Sequence, residues 1–261
     1  MDEKTLRLML QDLPISKMDY YTETDSTNER ALVALGEKLP PPQYSLFIAE
    51  RQTAGRGRMG RSWVTTPGAS LAVTLIILPT KREQERLGLF PLLGALGICR
   101  ALQDLCGPLA QVKWPNDVLL GGQKTAGVLA ESRWEGGILR GIALGMGINV
   151  LPESVPHSQE LLFPATCVQA HYREKVDTLR VLKAILAELI ALRPLLPESE
   201  FILDYLRFLA YRGQEVQLSL PNDETATGTL AGINDTGELI LRGADGLDTR
   251  YPIGDLRLRP A

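Results

Sequence analysis

"ERQTAGRGRMGRSW", residues 50–63, decides how the chain is read. It sets Gly55, Gly57 and Gly60 between Arg56, Arg58 and Arg61, in a protein whose formal net charge is −3. Arginine keeps its charge and holds carboxylate or phosphate oxygens through paired N–H donors, while glycine lets backbone amides come close to an anion. A basic, glycine-rich loop on a mildly acidic chain is therefore a candidate anion site. Its flanks, "YSLFIAE" (44–50) and "SLAVTLIIL" (70–78), are rich in β-branched and large apolar residues and read as buried strands, so the loop joins strand to strand.

Residues 55–60 also match G-x-G-x-x-G. The dinucleotide fingerprint needs a helix opening at its third glycine, whereas "RSWVTTPGAS" leads into another strand. Neither the HRD and DFG sequences of a kinase nor the GK[ST] of a Walker loop is present. Two uses of the loop stay open: a clamp for a carboxylate or phosphate, and a solvated or RNA-binding basic tract. The balance of 28 basic against 31 acidic residues counts against the nucleic-acid use.

The 261 residues can bury one large core and one small one. The longest apolar run is too short for a bilayer, and "MDEKTLRLMLQDLP" lacks the apolar core of a signal peptide, so a cytoplasmic protein without membrane contact is expected. Cys99, Cys106 and Cys167 form no C-x-x-C pair, which fits a reducing compartment, and two histidines (His157 and His171) exclude a histidine-rich metal site. Helical spacing runs through 84–106, with Pro91 near a start or kink and Gly107-Pro108 as the stop. A second helix is expected over 178–196, with Leu179, Leu182, Ile185, Leu186, Leu189 and Ile190 on one face, and a third over 198–212. Between them "QVKW", "DVLL", "KTAGVLAESRW" and "ILRGIALGMGINV" form a meander that favours an antiparallel or mixed sheet. From Gly213 short strands are punctuated by Pro-Asn-Asp, Asn-Asp-Thr-Gly and Ala-Asp-Gly turns, the pattern of a small β-barrel. The expectation is an α+β chain with domains at 1–212 and 213–261.

Further motifs accompany the loop. "DSTNERAL" (25–32) is a helix start, with Ser26 and Glu29 in capping-box spacing. "KWPNDVLL" (113–120) groups Lys113, Asn116 and Asp117 about a turn, and "KTAGVLAE" (124–131) sets Lys124 ahead of a strand that contains Gly127. "GMGIN" (145–149) again places glycines in a strand, which marks close approach by a ligand or another backbone. Each is commonplace alone. Together, and in this order, they resemble the biotin–protein ligases over nearly the whole chain.

The resemblance implies a class II aminoacyl-tRNA-synthetase-like catalytic domain, a mixed sheet flanked by helices, followed by an SH3-like C-terminal barrel. It implies that biotin is activated with ATP and Mg2+ to biotinyl-5′-adenylate, and that the biotinyl group then passes to one lysine of a biotin carboxyl carrier protein. By that match Ser26, Thr27, Asn28 and Gln52 contact biotin. Gly55, Arg56, Gly57 and Arg58 wrap its tail and the acyl phosphate, and Gly127, Gly145 and Gly147 let the flat ureido ring lie on the sheet. Arg61, Trp63, Lys113, Asn116, Asp117 and Asn149 line the adenylate side, Trp63 against the adenine, and Asp117 is the candidate to hold Mg2+ or to assist the acceptor lysine. Lys124, with Arg58 and Asp117, carries the chemistry as an electrostatic catalyst between carboxylate and α-phosphate. Met59 stands where many members have a further arginine, and Thr125 where an aliphatic residue is common. Twenty-five residues precede Ser26, too few for the helix-turn-helix of members that also repress transcription, so no DNA binding is expected. A monomer and a homodimer are both compatible with the sequence. The sister lipoate ligases, and a sensor that binds without turnover, remain the rival readings.

Overall fold

β1 (Lys17–Thr24) and β2 (Ser45–Gln52) pair in parallel, because α2 (Thr27–Leu35) crosses over between them. β3 (Ser70–Ile77), β4 (Ala110–Lys113), β5 (Asp117–Leu120), β6 (Gln123–Glu135) and β7 (Ile138–Asn149) extend this pair antiparallel into one seven-stranded sheet, in the order β1-β2-β3-β7-β6-β5-β4. The computed structural model describes residues 3–107, 110–156, 163–220, 224–252 and 257–260. Pro108, His157 and the Pro221-Asn222-Asp223 turn lie outside the described residues.

The two faces of the sheet are covered differently, as its period-two alternation dictates. Leu71, Val73 and Leu75 of β3, with Leu144 and Ile148 of β7, join the main core with α4 (Phe90–Cys106) and α5 (Thr178–Leu192). On the opposite face α2 packs on Phe47, Ile76 and Ala143. A small helix on a wide sheet leaves much of that face free for a ligand.

The helices differ in detail from the expected ones. The 84–106 run begins as a helix only at Phe90, because Pro91 fits the first turn, where no backbone donor is needed. Before it come a short α3 (Lys81–Gln84) and a 3-10 turn over Leu87–Leu89. α5 buries Val181 and Leu192, whereas Leu179 and Ile190 are only half-buried. The capping box at Ser26 does not form. Gln52 of β2 substitutes for it, its Oε1 accepting from the Thr27 backbone N–H at 2.8 Å and the Thr27 hydroxyl at 3.1 Å. Glu29 turns instead toward Arg56. No helix among the described residues is long and apolar enough to cross a membrane.

α6 (Ser199–Phe208) leads into the C-terminal segment: β8 (Glu215–Ser219), β9 (Thr225–Ile233), β10 (Leu239–Arg242), β11 (Asp248–Tyr251) and β12 (Arg257–Pro260). These make a five-stranded antiparallel sheet in the order β11-β10-β9-β8-β12. The turn before β10 meets the large sheet at the 113–117 motif, where buried Trp114 donates its indole N–H to the Gly237 carbonyl at 3.0 Å.

One buried ion pair ties α3 to the end of α5. Arg193 donates to both oxygens of Glu83 at 2.8 and 2.9 Å and to the Leu78 carbonyl at 2.8 Å, while Glu83 accepts from the Thr80 backbone N–H at 2.6 Å. Burial pushes the Glu83 carboxyl up, but Arg193 and the Thr80 N–H outweigh it and hold the group below its ordinary value. A carboxyl with a lowered folded pKa stabilises above the ordinary carboxylate range and loses that contribution as pH falls through the lowered value. Glu83→Ala, which strands Arg193, is expected to cost about 3–5 kcal/mol in chemical denaturation at neutral pH. The gap to wild type should narrow in acid.

Candidate active site

The strand registers assemble a trough on the face that α2 only partly covers. Gly127 stands opposite Gly147, Gly147 opposite Ala72, and Ala72 opposite Ala49, a row of small residues across four strands. Two residues further along, the same faces carry Leu129, Gly145, Thr74 and Phe47. Above this floor is a cavity of about 590 Å³, within the range of small-molecule sites.

Its walls are the motifs singled out in the sequence. Ser26, Thr27 and Asn28 enter from the start of α2, and Gln52 from the end of β2. Arg56, Gly57, Arg58, Arg61 and Trp63 come from the glycine loop, and Lys113, Asn116, Asp117 and Lys124 from the β4–β6 turns. Gly127, Gly145, Gly147 and Asn149 complete the floor. Gly55 is the exception. It does not line this cavity, and a Cβ there would stand 2.3 Å from the Trp63 carbonyl oxygen, so glycine is needed for the loop to fold on itself.

The loop is a tight hairpin. Trp63 N–H donates to the Gly55 carbonyl at 2.8 Å, Gly57 N–H to the Arg61 carbonyl at 2.7 Å, and Arg56 bridges to Ser62. Met59 and Gly60 sit at the tip with φ of 59° and 69°, both left-handed, as the two central residues of a type I′ turn require. Glycine fits that geometry, whereas Met59 holds it at a cost of about 1–2 kcal/mol.

Cations gather at one end of the cavity. Lys124 Nζ lies 2.6 Å from Asp117 Oδ1, and Lys113 Nζ lies 3.9 Å from Oδ2. Lys113 is buried, its ammonium 4.3 Å from the centre of the Phe163 ring. Arg58 donates to Asn116 Oδ1 at 3.0 Å, while Asn116 Nδ2 donates to the Val128 carbonyl at 2.8 Å. Asn149 acts from below: its Nδ2 donates to the Thr166 carbonyl at 3.2 Å. Asp117, a candidate Mg2+ ligand, is ion-paired to two lysines, and among the described residues no group of three His, Cys, Asp or Glu side chains could hold a metal. That donor set does not fit a resident ion at Asp117. The carboxylate instead holds Lys124 in place.

The other end is polar and neutral at its floor. Thr74, fully buried, donates to Asn28 Oδ1 at 2.6 Å and lies 2.8 Å from the Thr27 hydroxyl. Asn28 Nδ2 donates to the Leu129 carbonyl at 3.1 Å and to Glu131 Oε2 at 2.7 Å, and Glu131 Oε2 also accepts from Arg56 at 3.1 Å. Thr74 and Phe163 lie outside the sequence motifs, and Glu131, the last residue of KTAGVLAE, has no role assigned there. Thr74 leaves one trace, a lone hydroxyl inside an apolar strand.

Trp63 lies over the cavity floor. Its indole covers the glycine pair instead of leaving that surface to a ring: a Cβ on Gly147 would stand 2.3 Å from Cε2, and one on Gly127 3.3 Å from Cζ3. Asn28 likewise fills the space over Gly145, where a Cβ would stand 2.0 Å from Oδ1. The Trp63 indole N–H is buried without a hydrogen-bond partner, which leaves a donor for a ligand oxygen.

Residues 21–149 match the model of the Biotin/lipoate A/B protein ligase family, and residues 212–255 that of the Biotin protein ligase C terminal domain. The chain is 34% identical to the biotin--[acetyl-CoA-carboxylase] ligase of Paracoccus denitrificans over 85% of its own length and 93% of the relative's. The chain belongs to the biotin protein ligase family. It is 32% identical to the bifunctional ligase/repressor BirA of Bacillus spizizenii over 71% of its own length, and spans 57% of that protein. Among solved structures, the biotin protein ligase from Aquifex aeolicus in complex with biotin and ATP superposes with a TM-score of 0.79 at 28% identity. That match covers 94% of this chain and all of that one.

Gly147→Ala should expel the indole from the floor. With 5-fluorotryptophan incorporated, the Trp63 19F resonance, assigned through Trp63→Phe, is expected to shift while that of buried Trp114 stays in place. An unmoved Trp63 signal would contradict the packing described.

Proposed function

We propose that the chain is a biotin–[biotin carboxyl carrier protein] ligase. It joins biotin to ATP as biotinyl-5′-adenylate and then transfers the biotinyl group to a lysine of a carrier protein. The observation that carries this is the division of one cavity into a cationic end, with Lys124, Lys113 and Arg58, and a neutral hydrogen-bonding end at Thr27 and Asn28. A ligand with a carboxylate at one end and a polar, uncharged head at the other matches both. We read 1–212 as a catalytic unit of class II aminoacyl-tRNA-synthetase-like architecture and 213–261 as an SH3-like barrel.

In the first step a biotin carboxylate oxygen attacks the α-phosphorus of ATP. A mixed anhydride forms and pyrophosphate leaves. Two anions must meet, so the residues that matter are cations already in position, which stabilise charge as it builds on the phosphorus oxygens. We assign this task first to Lys124, which Asp117 holds at 2.6 Å. Mg2+ bound to the phosphates of ATP would add positive charge to that of Lys124, Lys113 and Arg58. In the second step the acceptor amine attacks the acyl carbon, AMP leaves, and we assign Asp117 to receive the amine's proton once Lys124 has turned to the acyl phosphate. The Arg56–Ser62 hairpin stands over the cavity and limits access of water to the anhydride.

ATP–pyrophosphate exchange with biotin, with lipoate and with no acid tests this directly. Exchange that depends on biotin is expected. Lys124→Ala should lower its rate about 10²–10³-fold, the effect of removing one preorganised transition-state donor, while calorimetry still detects biotin binding. Exchange with lipoate alone would assign the chain to the other branch of the family, and biotin binding without exchange would make it a binding protein.

A further inference from the structure

Glu131 closes the KTAGVLAE motif, and one of its oxygens joins the start of α2 to the glycine hairpin. Oε2 accepts from Asn28 Nδ2 at 2.7 Å and from Arg56 Nη2 at 3.1 Å, and the same Arg56 nitrogen lies 3.2 Å from Glu29 Oε2. The second Asn28 N–H is taken by the Leu129 carbonyl, and Thr74 donates to the Asn28 oxygen. Turning that amide over would set its oxygen against a carboxylate and a carbonyl and its nitrogen against a donor. Glu131 thus fixes the Asn28 oxygen on the Thr74 and Gly145 side, over the cavity floor, where a lone pair remains for a ligand N–H.

We propose that Glu131 is a positioning residue for the biotin end of the site, acting through Asn28 and Arg56. It holds the Asn28 amide as an acceptor for a ureido-type N–H donor. It also anchors the glycine hairpin through Arg56 until a ligand anion draws the guanidinium away. This rests on the ligase reading above. The influence of Glu131 is confined to biotin because the cations at the far end take their partners from other residues. Lys124 and Lys113 face Asp117, and Arg58 bonds Asn116.

The test is the pyrophosphate exchange assay, varying biotin and ATP separately in wild type, Glu131→Ala and Glu131→Gln. Glu131→Ala should raise KM for biotin about tenfold, the loss of one charged hydrogen bond. KM for ATP should stay within about twofold. Glu131→Gln keeps an oxygen for Asn28 but no charge for Arg56, so it should restore most of the biotin affinity. In an Asn28→Ala background the further effect of Glu131→Ala should largely vanish. A biotin KM within twofold of wild type in Glu131→Ala, an equal rise in both KM values, or additive effects with Asn28→Ala would overturn the proposal. Should Glu131→Ala not fold, Glu131→Asp carries the same test, because a carboxylate one methylene shorter cannot span Asn28 and Arg56 together. Wild type without biotin-dependent exchange would overturn the ligase reading itself, and this proposal with it.

Discussion

A row of small side chains crossing four strands, Gly127, Gly147, Ala72 and Ala49, is the constraint on which the site depends. Larger residues there would fill the trough from below, and the motifs above it would have nothing to enclose. The row is effective because the other face of those strands is a conventional core. Leu71, Val73, Leu144 and Ile148 hold the sheet rigidly against α4 and α5, so the strands can present almost no side chain on the ligand side. The same rigidity fixes the strand ends and turns that bear the charged groups.

Electrostatics explains why those charges are collected where they are. Two unit anions 4 Å apart repel by about 4 kcal/mol at an effective dielectric constant of 20, so a carboxylate and a phosphate will not meet unless cations are already there. The chain supplies them with few uncompensated buried charges. Lys124 and Lys113 share Asp117, Arg56 shares Glu29 and Glu131, and Arg58 leans on Asn116. On the proposed ligase reading, each pairing is a holding position that a cation leaves for a ligand anion. On the same reading, the carboxylate partners left behind keep a use, Asp117 toward an amine proton and Glu131 toward Asn28.

The members of this site were largely legible in the sequence because they come in contiguous motifs whose residue types are tied to one chemistry. Strand runs and turn residues pointed to an α+β chain, but the meander left antiparallel and mixed sheets both open: its strands pair antiparallel, and the parallel β1–β2 pair is what makes the sheet mixed. The failures have physical causes. The Ser26 capping box did not form because Gln52, distant in sequence, supplies the acceptor through a tertiary contact. The helix before Cys106 starts late because Pro91 fixes its first turn. Thr74 and Glu131 act across strands, through register that no local pattern records. Trp63 could be assigned to the site but not to its place there, since what covers Gly147 depends on how the hairpin folds back at Met59 and Gly60.

The most direct test of the account is a crystal structure of the chain with biotin and ATP. The acyl-phosphate junction should lie within hydrogen-bond reach of Lys124 Nζ and the Arg58 guanidinium. Lys124 should have turned from Asp117 toward it, and the ureido ring should stand against Thr27 and Asn28. Biotin bound the other way round, with its ring beside Lys113 and Phe163, or an anhydride that leaves the Lys124–Asp117 pair untouched, would contradict it.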